Sequence, residues 1–160
     1  MARSGRIKKR LLQPDPLYGN RLITRLINNV MQDGKKTIAQ KQVYKSMEIA
    51  GAQLKREDPV EIVREALDNI KPIMEVRSRR VGGATYQVPM PVKGDRREAL
   101  AIRWLINAAR QRPNSEYHSF AEKLAAEFVA ALNNEGAAIK KRNDTHRAAE
   151  ANKAFAHFRW

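Results

Sequence analysis

The chain has 160 residues, no cysteine, and 31 lysines and arginines against 17 aspartates and glutamates, which gives a formal net charge of +14. The lack of cysteine excludes disulfides, thiolate metal sites and thiol catalysis, and charges interrupt every apolar run, so we expect a soluble protein without a signal peptide or membrane span. Such a surplus of positive charge indicates a polyanionic partner, and nucleic acid is the first candidate.

The positive charge is concentrated in three stretches. Residues 1–17, 71–97 and 140–160 together hold 18 basic and five acidic residues, whereas the other 95 residues hold 13 basic and 12 acidic residues. The chain should therefore fold into a nearly neutral body that carries three cationic extensions.

Apolar residues recur at helical spacing through the first half of the chain. A first helix should end at Asp33 and Gly34, and a second should span about residues 37–54. Asp58 and Pro59 form an N-terminal helix signal ahead of a third helix. The apolar stripes of these helices are Leu22, Leu26 and Val30; Val43, Met47, Ala50 and Leu54; and Ile62, Val63, Ala66, Leu67 and Ile70.

Three more helices are predicted after residue 95. Asp95 and Glu98 have the spacing of a capping pair at the start of the fourth helix, in which Trp104 should make a packing contact. A fifth helix should begin near Tyr117, and a sixth should cover about residues 137–152. The stripes of the fourth and fifth helices are Ala99, Ile102, Leu105, Ile106 and Ala109; and Tyr117, Phe120, Leu124, Phe128 and Leu132.

The segment 73–92 has the composition of a β-hairpin, with β-branched residues on both sides of two glycines. If Gly82 and Gly83 form the turn, residues whose numbers sum to 165 face each other, so that Arg79 lies opposite Tyr86. Basic side chains then occupy both faces of the ribbon. Because neither face could be buried at low cost, the hairpin should protrude from the body.

These elements predict a mainly α fold, with a six-helix bundle-like body, a protruding two-stranded β-hairpin arm and basic N- and C-terminal extensions. We expect one RNA-binding domain over residues 1–160. Its parts are a basic extension at 1–17, a helical body at 18–152 with the hairpin at 73–92, and a tail at 153–160.

Arginine guanidinium groups match phosphate oxygens and the guanine edge, and the Tyr86 ring could stack on an unpaired base, which favours folded RNA. Two alternatives remain open. The hairpin could belong to an architectural DNA-binding protein, although Gly82 and Gly83 offer no wedge at its tip. The chain could also be a protein-only scaffold with acidic partners.

Catalysis has little support in the sequence. His118, His146 and His157 lack the spacing of a metal site, and no acid-base partner accompanies the carboxylates that share a face of the third helix. Those carboxylates are Glu61, Glu65 and Asp68. We therefore expect no enzyme activity, no metal and no cofactor.

Several long motifs in the sequence resemble those of a known protein family. The run VRSRRVGGATYQVP at residues 76–89, LAIRWLI at 100–106, KKR at 140–142 with DTH at 144–146, and AEANKAFAHFRW at 149–160 resemble the bacterial-type ribosomal protein seven family of the small (30S) subunit. The likeness extends over essentially the whole chain.

The resemblance implies a structural constituent of the small ribosomal subunit that binds 16S ribosomal RNA directly and nucleates assembly of its 3′ major domain, the head. It places the protein near the exit-site transfer RNA and the messenger path, with ribosomal proteins eleven and nine as neighbours. It also implies repression of the protein's own operon. Neither a membrane nor a small-molecule substrate is implied. A bacterial cytoplasm is expected, and a plastid stroma is equally compatible with the sequence.

The resemblance and the charge pattern together define the expected site residues. For ribosomal RNA these are Arg3, Arg6, Lys8, Lys9, Arg10, Lys35, Lys36, Arg77, Arg79, Arg80, Tyr86, Gln87, Arg96, Arg97, Arg103, Arg110, Arg112, Lys140, Lys141 and Arg142. Those expected near the exit-site transfer RNA and messenger are Arg79, Arg80, Gly82 and Gly83. Those expected to contact a neighbouring protein are His157, Phe158, Arg159 and Trp160.

Overall fold

The computed structural model of the chain describes residues 11–159. Within that range the fold is mainly α, as predicted, with six α-helices, one antiparallel hairpin and a short 3-10 helix. In chain order the elements are α1 (Arg21–Val30), α2 (Lys36–Leu54), α3 (Pro59–Ile70), β1 (Met74–Val81), β2 (Ala84–Pro91), α4 (Asp95–Gln111), α5 (Phe120–Leu132), α6 (Gly136–Ala151) and the 3-10 helix (Lys153–Phe158).

The N-terminal signal of α3 acts as predicted. The Asp58 carboxylate accepts hydrogen bonds from the backbone N–H groups of Val60 and Glu61, and Pro59 occupies the first turn. These bonds satisfy two backbone donors that have no partner inside the helix, so the helix begins at a fixed residue.

The predicted capping role of Asp95 is wrong. The N-cap of α4 is Gly94, whose φ of 57° suits glycine, and no side chain caps this helix. Asp95 and Glu98 face α1 instead, where Glu98 accepts a hydrogen bond of 2.7 Å from Arg25 and Asp95 lies 3.9 Å from it. The two carboxylates thus join α1 to α4, an interaction that local spacing does not reveal.

The fifth helix begins later than predicted. Ser119 is its N-cap and accepts from the Glu122 N–H, while Tyr117 precedes the helix. The Tyr117 hydroxyl accepts a hydrogen bond from Arg112 at 3.2 Å. Tyr117 therefore belongs to the loop between α4 and α5 and not to the apolar stripe.

Helix α5 lies at the centre of the body and packs against α2, α3, α4 and α6, while α1 packs against α2 and α4. Its side chain Phe128 is fully buried. Trp104 is partly buried against the same core, as predicted. Most of the apolar residues predicted to point inward from α1 to α5 are in this core.

The hairpin has the predicted register. Val81 pairs with Ala84 and Arg79 with Tyr86, around Gly82 and Gly83 with φ of 57° and 92°. Its tip is exposed, but its base is covered by α6, and the 3-10 helix lies against β2. The tail at 153–158 is thus folded onto the arm.

Part of the predicted N-terminal extension is attached to the body. The Asp15 carboxylate is buried, accepting hydrogen bonds from the Tyr44 hydroxyl at 2.8 Å and from the backbone of Leu17 and Tyr18. Burial and the hydrogen bond to Asp15 raise the pKa of Tyr44 to about 12. The segment from about residue 13 is therefore part of the folded structure.

Candidate nucleic-acid interface

Three arginines form a row along one face of α4. Arg96, Arg103 and Arg110 are seven residues apart, and seven residues return a helix to nearly the same face after two turns. All three are exposed, and the row is roughly 21 Å long at helical rise. We call it the α4 arginine row. The resemblance implies an RNA contact on the face of the fourth helix at Arg96 and Arg103, and the seven-residue spacing adds Arg110 to the same face.

The hairpin base holds one end of the row. Glu75 on β1 is 7% exposed and accepts hydrogen bonds from Arg96 at 2.8 Å and from Arg77 at 2.5 Å. Burial raises the pKa of Glu75, but the bonds from Arg96 and Arg77 outweigh burial and hold this pKa below its ordinary value. One carboxylate therefore orients two guanidinium groups, each about half exposed. A positive charge remains at the surface.

The other end of the row reaches the loop between α1 and α2. Arg110 donates to the Val30 carbonyl oxygen at 3.3 Å, which holds its guanidinium beside this loop. Lys35 and Lys36 in the same region are exposed. In the middle of the row, Arg103 makes no hydrogen bond or ion pair within residues 11–159, so its charge faces solvent.

The hairpin tip extends the cationic surface away from the body. Arg80 and Gln87 are exposed on one face of the ribbon, and Arg79 and Tyr86 lie opposite each other on the other face. This is the arrangement predicted from the turn. Cations on both faces of a thin ribbon can approach a polyanion from two sides.

The Tyr86 ring has an intramolecular partner that the sequence analysis missed. It lies 5.4 Å from the Phe155 ring and 5.0 Å from the Phe158 ring, between ring centroids. These distances are typical of stabilising aromatic pairs. The residue expected to stack on a base and the tail expected to contact a neighbouring protein therefore meet in one aromatic cluster, which we call the aromatic clasp.

Two predicted RNA-binding arginines are engaged inside the body. Arg112 donates to Glu127, which is 1% exposed, with a shortest distance of 2.7 Å, and also to the Ala126 carbonyl oxygen. Arg142 donates to the Asn69 carbonyl oxygen and to Asn143. Because their guanidinium groups are used in contacts between helices, Arg112 and Arg142 are poor candidates for direct phosphate binding.

Arg97 and His146 secure the hairpin to the body. Arg97 donates to the Pro72 carbonyl oxygen at 3.1 Å, and the His146 Nε2 atom accepts the Ile73 N–H at 2.9 Å. Burial, together with the positive charges of Arg142 and Arg97, holds the pKa of His146 below its ordinary value. His146 is therefore a neutral hydrogen-bond acceptor with a structural role.

The remaining predicted site residues either are exposed or lie outside the described residues. Lys140 and Lys141 are exposed on α6, and Lys141 borders a small cavity beside Trp104. His157 and Arg159 are exposed on the tail. Outside the described residues lie Arg3, Arg6, Lys8, Lys9, Arg10 and Trp160.

Residues 11–159 contain neither a metal site nor a membrane-spanning helix. No group of three or more histidine, aspartate or glutamate side chains there is arranged to hold a metal ion. No helix in that range has the length and apolar character needed to cross a membrane.

Comparison with known proteins gives a consistent result. The family model described as Ribosomal protein S7p/S5e matches residues 2–153. The chain belongs to this family. It is therefore a ribosomal protein of the small subunit, in a structural family and not an enzyme family.

Similar S7p/S5e proteins come from several bacteria. The chain is 56% identical over 158 residues to the small ribosomal subunit protein uS7 of Thermotoga neapolitana, covering 99% of both chains. It is 54% identical over 160 residues to the proteins of the same name from Paracoccus denitrificans and Moorella thermoacetica, covering all of each chain. These matches favour the ribosomal interpretation and give no support to an architectural DNA-binding protein.

Proposed function

We propose that the chain binds 16S ribosomal RNA directly, in the 3′ major domain, and helps to nucleate assembly of the head of the small subunit. The observation that carries this proposal is the continuity of the α4 arginine row with the hairpin tip. Arg96, Arg103 and Arg110 follow one face of a helix, and Arg80 extends the positive charge along the arm. An extended cationic surface of this kind suits a folded RNA chain with phosphates at several angles.

The hairpin tip is the part proposed to lie near the exit-site transfer RNA and the messenger. Arg79, Arg80, Gly82 and Gly83 stand farthest from the covered base of the ribbon. The two glycines keep the turn thin, so the backbone can approach a nucleic acid closely. The repression of the protein's own operon, implied by the resemblance, would use the same cationic surface for a messenger.

The tail is proposed to contact a neighbouring small-subunit protein, with ribosomal proteins eleven and nine as candidates. His157 and Arg159 are exposed on the 3-10 helix that lies against β2. The cytoplasmic ribosome is the corresponding proposed location. The bacterial origin of the relatives supports it.

A competition experiment tests the RNA proposal. Labelled 3′ major domain RNA is bound to the full chain at a stated salt concentration and then displaced with unlabelled RNA of the same sequence or with random duplex DNA. We expect the RNA to compete at least a hundredfold better, since non-specific binding is much weaker than specific binding. Equal competition by the two nucleic acids would contradict the proposal and favour non-specific electrostatic binding.

A further inference from the structure

A cavity of about 400 Å³ lies at the far end of the α4 arginine row. Its walls come from the loop between α1 and α2, the first turns of α2, the last turn of α4 and the start of α5. It is open to solvent, and its size lies within the range of pockets that bind small organic ligands. We call it the α2 pocket.

One part of the α2 pocket lining is apolar. Val30 and Ala39 are 7% and 5% exposed and form its floor, beside the partly buried Phe120. Ile38 stands at the mouth and is 55% exposed. A large aliphatic side chain left in water beside an apolar cavity favours an occupant that covers it.

One polar side chain is fixed inside the pocket. The Oε1 atom of Gln42 accepts the Ala121 N–H at 3.0 Å, which orients the side-chain amide. The Nε2 atom then remains as a donor, and it makes no hydrogen bond within the part of the chain that the structure describes. A planar ligand with an acceptor on its edge would complete this arrangement.

The charged side chains around the pocket favour an anionic ligand. Arg110 and Lys35 both line it, against one carboxylate, Asp33, which lies 4.0 Å from Lys35. The pocket also has a second amide, Gln32, on its wall. An apolar patch, amide groups and two cations match a nucleotide, since the base is flat and apolar on its faces and the phosphate is anionic.

We propose that the α2 pocket receives one unpaired nucleotide of the bound RNA, with its base against Ile38 and Phe120 and its phosphate near Arg110. The proposal rests on the RNA binding proposed above, and it adds a base-contacting site at one end of the α4 arginine row. Arg110 belongs both to the row and to the pocket, so an RNA strand that follows the row arrives at the pocket mouth. Extruded bases are the parts of folded RNA that proteins most often read.

The test uses Ile38→Ala, which removes apolar contact without changing charge and favours helix formation at an exposed position. Binding of 3′ major domain RNA to the full chain should weaken about five- to tenfold, while the slope of log affinity against log salt stays the same. Ile38→Leu should bind like the unchanged protein. Leu17→Ala, at a side chain exposed to 63%, is the matched control and should leave affinity unchanged.

Chemical probing of the RNA gives a second measurement. One unpaired nucleotide protected by the unchanged protein should become reactive in the complex with the Ile38→Ala variant. Equal affinity and equal protection for the two proteins would overturn the pocket proposal alone, and would point to a protein side chain as the natural occupant. Failure of the unchanged protein to bind this RNA would overturn the proposed function as well.

Discussion

Arginines have opposite surroundings at the junction of α4, α5 and α6 and at the hairpin tip. At the junction, Arg112 is held by the buried carboxylate of Glu127, whose other oxygen accepts the Ala138 N–H at 3.1 Å. At the tip, Arg80 is exposed and has no hydrogen bond or ion pair within residues 11–159. Arg112 therefore stabilises the fold, whereas Arg80 remains available to a polyanion.

The arginines at the hairpin base have surroundings intermediate between those of Arg112 and Arg80. Glu75 is as buried as a core residue, yet Arg77 and Arg96 beside it keep about half of their side-chain surface exposed. These arginines can stabilise the arm and still present hydrogen-bond donors to phosphate. Their contribution to RNA binding should therefore be smaller than the arginine count alone suggests.

The largest expected effect is on stability at the junction. Arg112→Ala leaves Glu127 buried without its cation, so the free energy of unfolding should fall by about 3 kcal/mol. Urea denaturation measures this loss. Arg103→Ala, in the helix that ends just before Arg112, is the matched control, and its effect should stay within about 0.5 kcal/mol. Similar stabilities for the two variants would contradict the proposed difference between an arginine paired with a buried carboxylate and an arginine exposed to solvent.

A smaller effect is expected at the aromatic clasp. Replacing both Phe155 and Phe158 with alanine removes the ring contacts of Tyr86, each worth about 0.5–1.5 kcal/mol. Amide hydrogen exchange in β1 and β2 should accelerate by about tenfold or more, while exchange in α2 stays unchanged. Unchanged exchange in the hairpin would mean that the tail does not hold the arm.

The smallest effect is a pH dependence at the hairpin base. The pKa of His146 is lower in the folded chain than in the unfolded chain, so the unfolded state binds more protons below about pH 6.5. Stability should therefore decrease as the pH falls through that value. His146→Gln keeps a hydrogen-bond acceptor and should remove this part of the decrease, as measured by denaturation at pH 8 and pH 5.5. Identical pH profiles for both proteins would contradict the role of His146.

Features set by neighbouring residues could be predicted from the sequence. Asp58 and Pro59 fixed the start of α3, and the glycine pair fixed the hairpin register, because both signals act over a few residues. The apolar stripes likewise located the first five helices within a few residues, although α5 was predicted to begin too early. The sixth helix was also predicted, but its apolar pattern is weak.

Features that depend on distant residues could not be predicted in this way. Glu75 meets Arg96, Glu127 meets Arg112, and Tyr86 meets Phe155, at separations that no local pattern specifies. The sequence could therefore identify the cations but could not separate those engaged with carboxylates from those left at the surface. That separation requires the packing of whole helices.

The most direct test of this account compares two double variants that lose the same charge. Arg80→Ala with Arg103→Ala removes cations from the proposed interface, and Lys45→Ala with Arg64→Ala removes exposed cations from α2 and α3. The affinity for 3′ major domain RNA is measured over a series of salt concentrations. We expect the first pair to flatten the slope of log affinity against log salt by about 1.5–2 and the second pair to leave it unchanged. Equal slopes for the two pairs would contradict this expectation.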